Sequence, residues 1–202
     1  MRRLFVGFVV LAIALACSDT SAPVATAVPT SRLHIVAQSA SAPPLYADSV
    51  SFYAVAGQDR EVRMYYQGAT PGVRGDEMLR FKVPGDGLLR RPDGTAFQSG
   101  DSILIAVKAI DPAKFLFDFQ PTGLEFSPDH RAELTLQYHN DEHDYNSDGR
   151  VDTTDARIQG QLDVWQRQPP DTLWHPLGAS NYESYEELDV KIPHFTDHAI
   201  AW

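Results

Sequence analysis

The chain has 202 residues, a formal charge of −10 and a single cysteine. One cysteine excludes an intramolecular disulfide, a cysteine-based zinc site, CxxC redox chemistry and cysteine-protease chemistry. The acidic balance opposes binding to nucleic acid or anionic lipid headgroups and makes divalent cations natural partners. In chain order, Met1 is followed by Arg2 and Arg3, and Leu4 to Ala16 is then free of charge. That run is too short to span a bilayer as a helix but fits the apolar region of a secretory signal, so residues 1–16 read as a leader. It ends in Ile13-Ala14-Leu15-Ala16-Cys17, with small residues before the cut. Loss of Arg2 and Arg3 with the leader takes residues 17–202 to −12.

These last five residues resemble the bacterial lipobox, although leucine is commoner at the position of Ala14. The resemblance implies that Cys17 carries the lipid and opens the mature protein, anchoring it in the cell envelope on the extracytoplasmic side. Ser18 does not resemble the aspartate that retains some lipoproteins in the inner membrane, which favours the outer membrane. An ordinary signal peptide with a chance cysteine is the alternative. No second apolar run is long enough to span a membrane, so the lipid is the expected anchor.

Residues 17–47 read as the lipidated cysteine and a tether. The stretch SDTSAPVATAVPTS over 18–31 has too little apolar surface to offset chain entropy. Leu33 to Ala37 allows an edge strand, and Pro43-Pro44 marks the end of the linker. From residue 48 to 202 the pattern is one of short alternating runs. Val50, Phe52, Ala54 and Ala56 share one parity, and Gly57-Gln58-Asp59 turns into Val62, Met64 and Tyr66. Leu79, Phe81 and Val83 oppose Arg80 and Lys82. Ile103, Ile105 and Val107 follow, then Phe115, Phe117 and Phe119, and then Leu134, Leu136 and Tyr138. Leu162 with Val164, Leu173 with Trp174, Leu188 to Ile192 and Phe195 to Trp202 complete the series. The spacing predicts an all-β fold, a single antiparallel β-sandwich of about nine or ten strands.

Phe81-Lys82-Val83-Pro84-Gly85-Asp86-Gly87-Leu88 resembles the opening of ZU-five-like modules, and Phe119 to Phe126 with Ala132 to Tyr138 looks like a later segment of theirs. The close, from Leu162-Asp163-Val164-Trp165 through Trp174-His175-Pro176-Leu177 to His194-Phe195-Thr196-Asp197-His198-Ala199, resembles bacterial surface lipoproteins carrying such a module. The resemblance covers most of residues 78–202. It implies a β-sandwich for interaction or packing without a shared catalytic site.

The sharpest motif is Asp144-Tyr145-Asn146-Ser147-Asp148-Gly149-Arg150-Val151-Asp152-Thr153-Thr154-Asp155. It fits an EF-hand-type calcium loop, with oxygen ligands at positions 1, 3, 5, 9 and 12 and glycine at 6. Asp144, Asn146, Asp148, Asp152 and Asp155 supply side-chain oxygens and Arg150 a backbone carbonyl. Gly149 takes the left-handed turn, and Val151 is expected to pack the loop onto the domain. The asparagine at 3 and the aspartates at 9 and 12 resemble the dockerin version, but dockerins carry two loops and one is found here. A short helix over Ala156–Gln161 is expected next. A polar loop without metal is the alternative.

His139-Asn140-Asp141-Glu142-His143 also fits H-x-x-E-H, a zinc-peptidase signature that needs both histidines on one helical face. It follows a strand and runs straight into the acidic loop, which argues against a helix there. No nucleophile elbow, phosphate loop or dinucleotide fingerprint is present. The expectation is therefore a non-enzymatic, calcium-stabilised module that binds an unknown protein or glycan or packs within the envelope. The alternatives are a dockerin-like adhesion module docking a cohesin-type partner and, third, an enzyme, either a zinc peptidase through His139 and His143 or a glycosidase through acidic residues.

Overall fold

The structure is a computed structural model describing residues 26–168 and 170–202. The expected leader (1–16), the lipidation site Cys17 and the first part of the tether lie outside the described residues. Fourteen strands and one α-helix occur among the described residues. In order they are β1 (Val28–Pro29), β2 (Ser49–Val55), β3 (Arg60–Gln67), β4 (Arg74–Val83), β5 (Leu88–Arg90), β6 (Ser102–Ala109) and β7 (Leu116–Gln120). Then come β8 (Glu125–Phe126), β9 (Ala132–Gln137), α1 (Thr153–Gln159), β10 (Asp163–Arg167), β11 (Leu173–Pro176), β12 (Ser180–Tyr182), β13 (Glu187–Ile192) and β14 (Asp197–Ala201). The strand number exceeds the expected nine or ten because β1, β5, β8 and β12 have only two or three residues each, too few to show a period.

The fold is an all-β antiparallel sandwich. One sheet runs β1-β11-β10-β14-β7-β6-β2 and the other β12-β13-β9-β4-β3, with β5 and β8 as a separate pair. Alternation explains the faces. In β4, Leu79, Phe81 and Val83 are buried while Arg80 and Lys82 are not. A bulge opposite Met64 and Tyr65 inserts Met78, so Met78 and Leu79 both turn inward. Phe81 of β4 meets Phe119 of β7 across the sandwich at 5.3 Å between ring centres, and Phe195 lies 5.4 and 5.5 Å from the two. Such edge-on and tilted pairs add about 0.5–1.5 kcal/mol each to the burial of their surface.

A second, smaller core lies on the outer face of the seven-stranded sheet. Trp165, Trp174, Ala199 and Ala201 form it with Leu33, and Val28, Ile35 and Leu116 pack around them. Both indoles are satisfied: Trp165 Nε1 donates to the Ala201 carbonyl at 3.0 Å and Trp174 Nε1 to Thr30 Oγ at 3.0 Å.

This corrects the second half of the expected tether. From Val28 the chain is part of the body. β1 pairs with β11, Ile35 bridges to Ala201, and Leu33 and Val36 are buried. The composition of 18–31 is that of a free linker, but Val28, Leu33 and Ile35 meet an apolar face built by two tryptophans, and Val36 enters the main core. Burying a Leu or Val side chain there is worth about 1.5–3 kcal/mol. The helix also differs from expectation. It begins three residues early, at Thr153, because Asp152 caps it.

Candidate metal centre

The acidic loop leaves β9 through a turn, in which the Asp141 N–H donates to the Tyr138 carbonyl at 2.9 Å. Its carboxylates organise the backbone. Asp144 accepts from the N–H groups of Asp148 (3.0 Å) and Gly149 (2.7 Å). Asn146 Oδ1 accepts from Asp148 N–H at 2.9 Å, and Asp148 Oδ1 from Arg150 N–H at 2.9 Å. These short-range bonds are the preferred local bonding of Asp and Asn in turns. Gly149 sits at φ 83°, in the left-handed region that its lack of a β-carbon allows.

The last ligand position closes the loop. Asp155 is 1% exposed and accepts from Asp152 N–H at 3.0 Å and from Asn146 N–H at 3.2 Å, joining the two ends. The N–H of Asp152 is the largest influence holding the Asp155 carboxyl below its usual range, with that of Asn146 contributing. Asp152 in turn caps α1, accepting from Thr154 N–H at 2.7 Å, and together with Asp155 forms a capping box. Asp148, Arg150 and Asp152 are exposed.

Val151 does not pack the loop as expected; it is 69% exposed. Tyr145 does that work. It is 7% exposed, meets Trp202 edge-on at 5.6 Å, and its hydroxyl donates to the buried carboxylate of Asp141. Tyr145 falls at an odd position within a polar loop, where periodicity gives no sign of burial.

Each hydrogen-bonded carboxylate keeps lone pairs free for a cation, since an ionised carboxyl has about four acceptor sites. The donor set, all oxygen, suits calcium. Among the described residues no three His, Cys, Asp or Glu side chains converge at metal-holding distance, so ligation would draw the exposed carboxylates of Asp148 and Asp152 inward around Asp144, Asn146 and Asp155.

The H-x-x-E-H segment is turn, not helix. Its histidines face different partners. His139 Nε2 lies 3.9 Å from Asp76, while His143 Nδ1 lies 2.8 Å from Asp141 Oδ1, without hydrogen-bond alignment, and its Nε2 is 3.9 Å from Glu186. Asp141 is the residue that the sequence reading passed over. It is 2% exposed, and burial first of all pushes its carboxyl up to about 6, against the opposing pull of the Tyr145 hydroxyl and His143. Burial likewise pushes Tyr138 up to about 12.

A separate groove of about 660 Å³ crosses the outer face of the five-stranded sheet and shares no residue with the loop. Its side chains are the polar parity of β3, β4, β9 and β13. Arg80 and Lys82 were visible in the sequence as outward positions, but the groove itself was not.

The molecule is thus an all-β sandwich carrying one acidic twelve-residue loop and one polar groove. No protein-family model, curated protein or solved structure matches the chain. The ZU-five-like and dockerin-like resemblances therefore stand on the segments quoted for them.

Proposed function

We propose that the chain is an extracytoplasmic lipoprotein, held to the membrane by acylated Cys17, whose β-sandwich is a non-enzymatic binding or structural module stabilised by calcium in the loop 144–155. The observation that carries the calcium reading is the closure of that loop by Asp155, with Asp144, Asn146 and Asp148 each hydrogen-bonded to backbone N–H groups within it. The loop is drawn into a turn with oxygen-bearing side chains at the ligand positions. The acidic surface and the lipobox resemblance favour a calcium-rich compartment.

Thermal melting tests this. Extracellular single sites bind calcium near 10⁻⁴–10⁻³ M, so about 10 mM calcium over a millimolar Kd adds about 1.4 kcal/mol of stability. Calcium is expected to raise Tm, and Asp144→Ala to abolish the rise. Superimposable melts in calcium and in excess chelator dismiss the loop as a metal site. Intact-mass analysis of the native protein checks the anchor, since a retained Met1 or a free Cys17 thiol rules it out.

Val151 favours the dockerin-like alternative, since an apolar side chain 69% exposed just before α1 offers a docking contact. Val151→Lys would abolish such docking while leaving the calcium response intact.

A further inference from the structure

The groove on the five-stranded sheet is built by register. Glu61, Lys82, Glu133 and Lys191 stand in one row across β3, β4, β9 and β13. Arg80, Thr135 and Asp189 form the next row, which Ser180 of β12 extends. Neighbours within a row are about 4.8 Å apart and the rows about 7 Å apart, as strand geometry dictates. The second row is wired: Arg80 Nη2 donates to Thr135 Oγ at 3.4 Å, and that hydroxyl donates to Asp189 Oδ1 at 2.6 Å. One wall, Leu177–Gly178, is fixed by the Asp163 carboxylate, which accepts from Gly178 N–H at 3.1 Å and Ala179 N–H at 2.7 Å.

The charge of this surface runs against that of the chain. Four cations (Arg80, Lys82, Arg131, Lys191) line the groove against three carboxylates, in a protein of net charge −10. Arg131 and Lys191 are exposed and belong to none of the ion pairs found among the described residues.

The chemistry narrows the ligand. The floor is a sheet face whose backbone groups are committed to the ladders, so a peptide cannot add here as a strand. Leu134 and Val190 are buried in the core, which leaves half-buried Leu177 on the wall as the one large apolar side chain facing the groove, too little to anchor an apolar ligand. A nucleic acid would bring densely spaced phosphates against an acidic body. A ligand rich in hydroxyls with sparse negative charge matches alternating donors and acceptors and two free cations. The volume falls within the usual range for such sites, about 300–1,000 Å³.

We propose that this groove binds an acidic oligosaccharide. Arg131 and Lys191 take the sugar carboxylates, while Arg80, Glu133, Asp189 and Ser180 exchange hydrogen bonds with the hydroxyls. The proposal rests on the reading of the chain as a binding module and names the class of its ligand; it does not depend on the calcium loop.

Calorimetric titration of the full chain with hyaluronan tetrasaccharide tests it, with uncharged chitotetraose and a tetraglutamate peptide as comparison ligands, in excess chelator and again in calcium. The expected result is submillimolar binding of the acidic saccharide, and binding of both comparison ligands weaker by about tenfold or more. Arg131→Ala and Lys191→Ala should each weaken binding roughly fivefold, and Lys108→Ala, on β6 of the other sheet, should leave it unchanged. No binding, equal binding of tetraglutamate, or wild-type affinity in both groove variants overturns the proposal. Saccharide binding that survives in chelator while the calcium melt fails sinks the metal reading alone. The reverse outcome sinks this one alone.

Discussion

The two sheets obey the same alternation yet end with opposite outer faces. On the seven-stranded sheet the outward positions of β10, β11 and β14 are Trp165, Trp174, Ala199 and Ala201, and Leu33, with Val28 and Ile35, packs against them. On the five-stranded sheet the outward positions of β4, β9 and β13 are Arg80, Lys82, Glu133, Thr135, Asp189 and Lys191, of which only Thr135 is buried. The difference teaches that the inner parity decides the fold and the outer parity decides whether a sheet is roofed by its own chain or left to meet something else. An apolar outer face recruits a segment whose own composition is that of a linker. A charged one stays largely solvated, and its ion pairs add little stability.

That contrast breaks most sharply at Trp174. It is 1% exposed, and Trp174→Ala removes the centre of the outer core together with the partner of Thr30. The expected loss is about 3–5 kcal/mol, read from urea unfolding. It should be accompanied by proteolytic cleavage near residues 28–36, because the roof loses its seat. A loss below about 1 kcal/mol would mean that the N-terminal segment is not held by this cluster.

The next effect is one of pH. His198 is fully buried on the inner parity of β14, its Nδ1 2.9 Å from the Thr196 carbonyl and its ring 4.9 Å from that of Phe119. Burial first, and the neighbouring His194 in smaller part, push the imidazole down to about 3, the Thr196 carbonyl opposing. The unfolded chain takes up this proton near pH 6.5 and the folded chain only near 3. Stability from this group is therefore full above about pH 6.5 and falls as the pH drops through that window, by up to about 1.4 kcal/mol per unit. Asp141 acts in the opposite sense between about 4 and 6, since its folded form prefers the proton. His198→Gln should thus reduce the acid loss, leaving the part carried by His194, which burial also pushes down, against the opposite slope of Asp141. An unchanged acid loss in His198→Gln would place its source elsewhere.

The smallest effect belongs to the open face. Lys82 and Glu133 stand 3.7 Å apart at 39% and 49% exposure, and Lys82→Ala should cost under about 1 kcal/mol, diminishing further in salt. A cost comparable to that of Trp174→Ala would erase the distinction between the two faces.

The reach of the sequence follows from the same physics. β4, β6, β7, β9 and β13 were legible because each carries at least two inward apolar residues of its own parity. β1 and β12 were not, since their assignment depends on the strands they pair with, β11 and β13. Leu33 was read at the end of a linker, as no more than an edge-strand candidate, because the tryptophan seat that buries it is more than a hundred residues away in the chain. Within the loop, the turn at Gly149 and the spacing of Asp144, Asn146 and Asp148 were legible, being local. The burial of Tyr145 was not, because Trp202 and Asp141 decide it, and neither was the exposure of Val151. The groove needed the register of four strands at once, which no single run of residues encodes.

The place of β14 has a consequence for how the molecule holds together. It is the last strand of the described chain, yet it lies in the middle of the larger sheet, and β10 and β11 join β7, β6 and β2 through it alone. With residues 197–201 removed, two strand edges, on β10 and on β7, lose their partners together. A lesion in β14 therefore opens the larger sheet at its centre, where a lesion in β1 or β2 would only trim an edge.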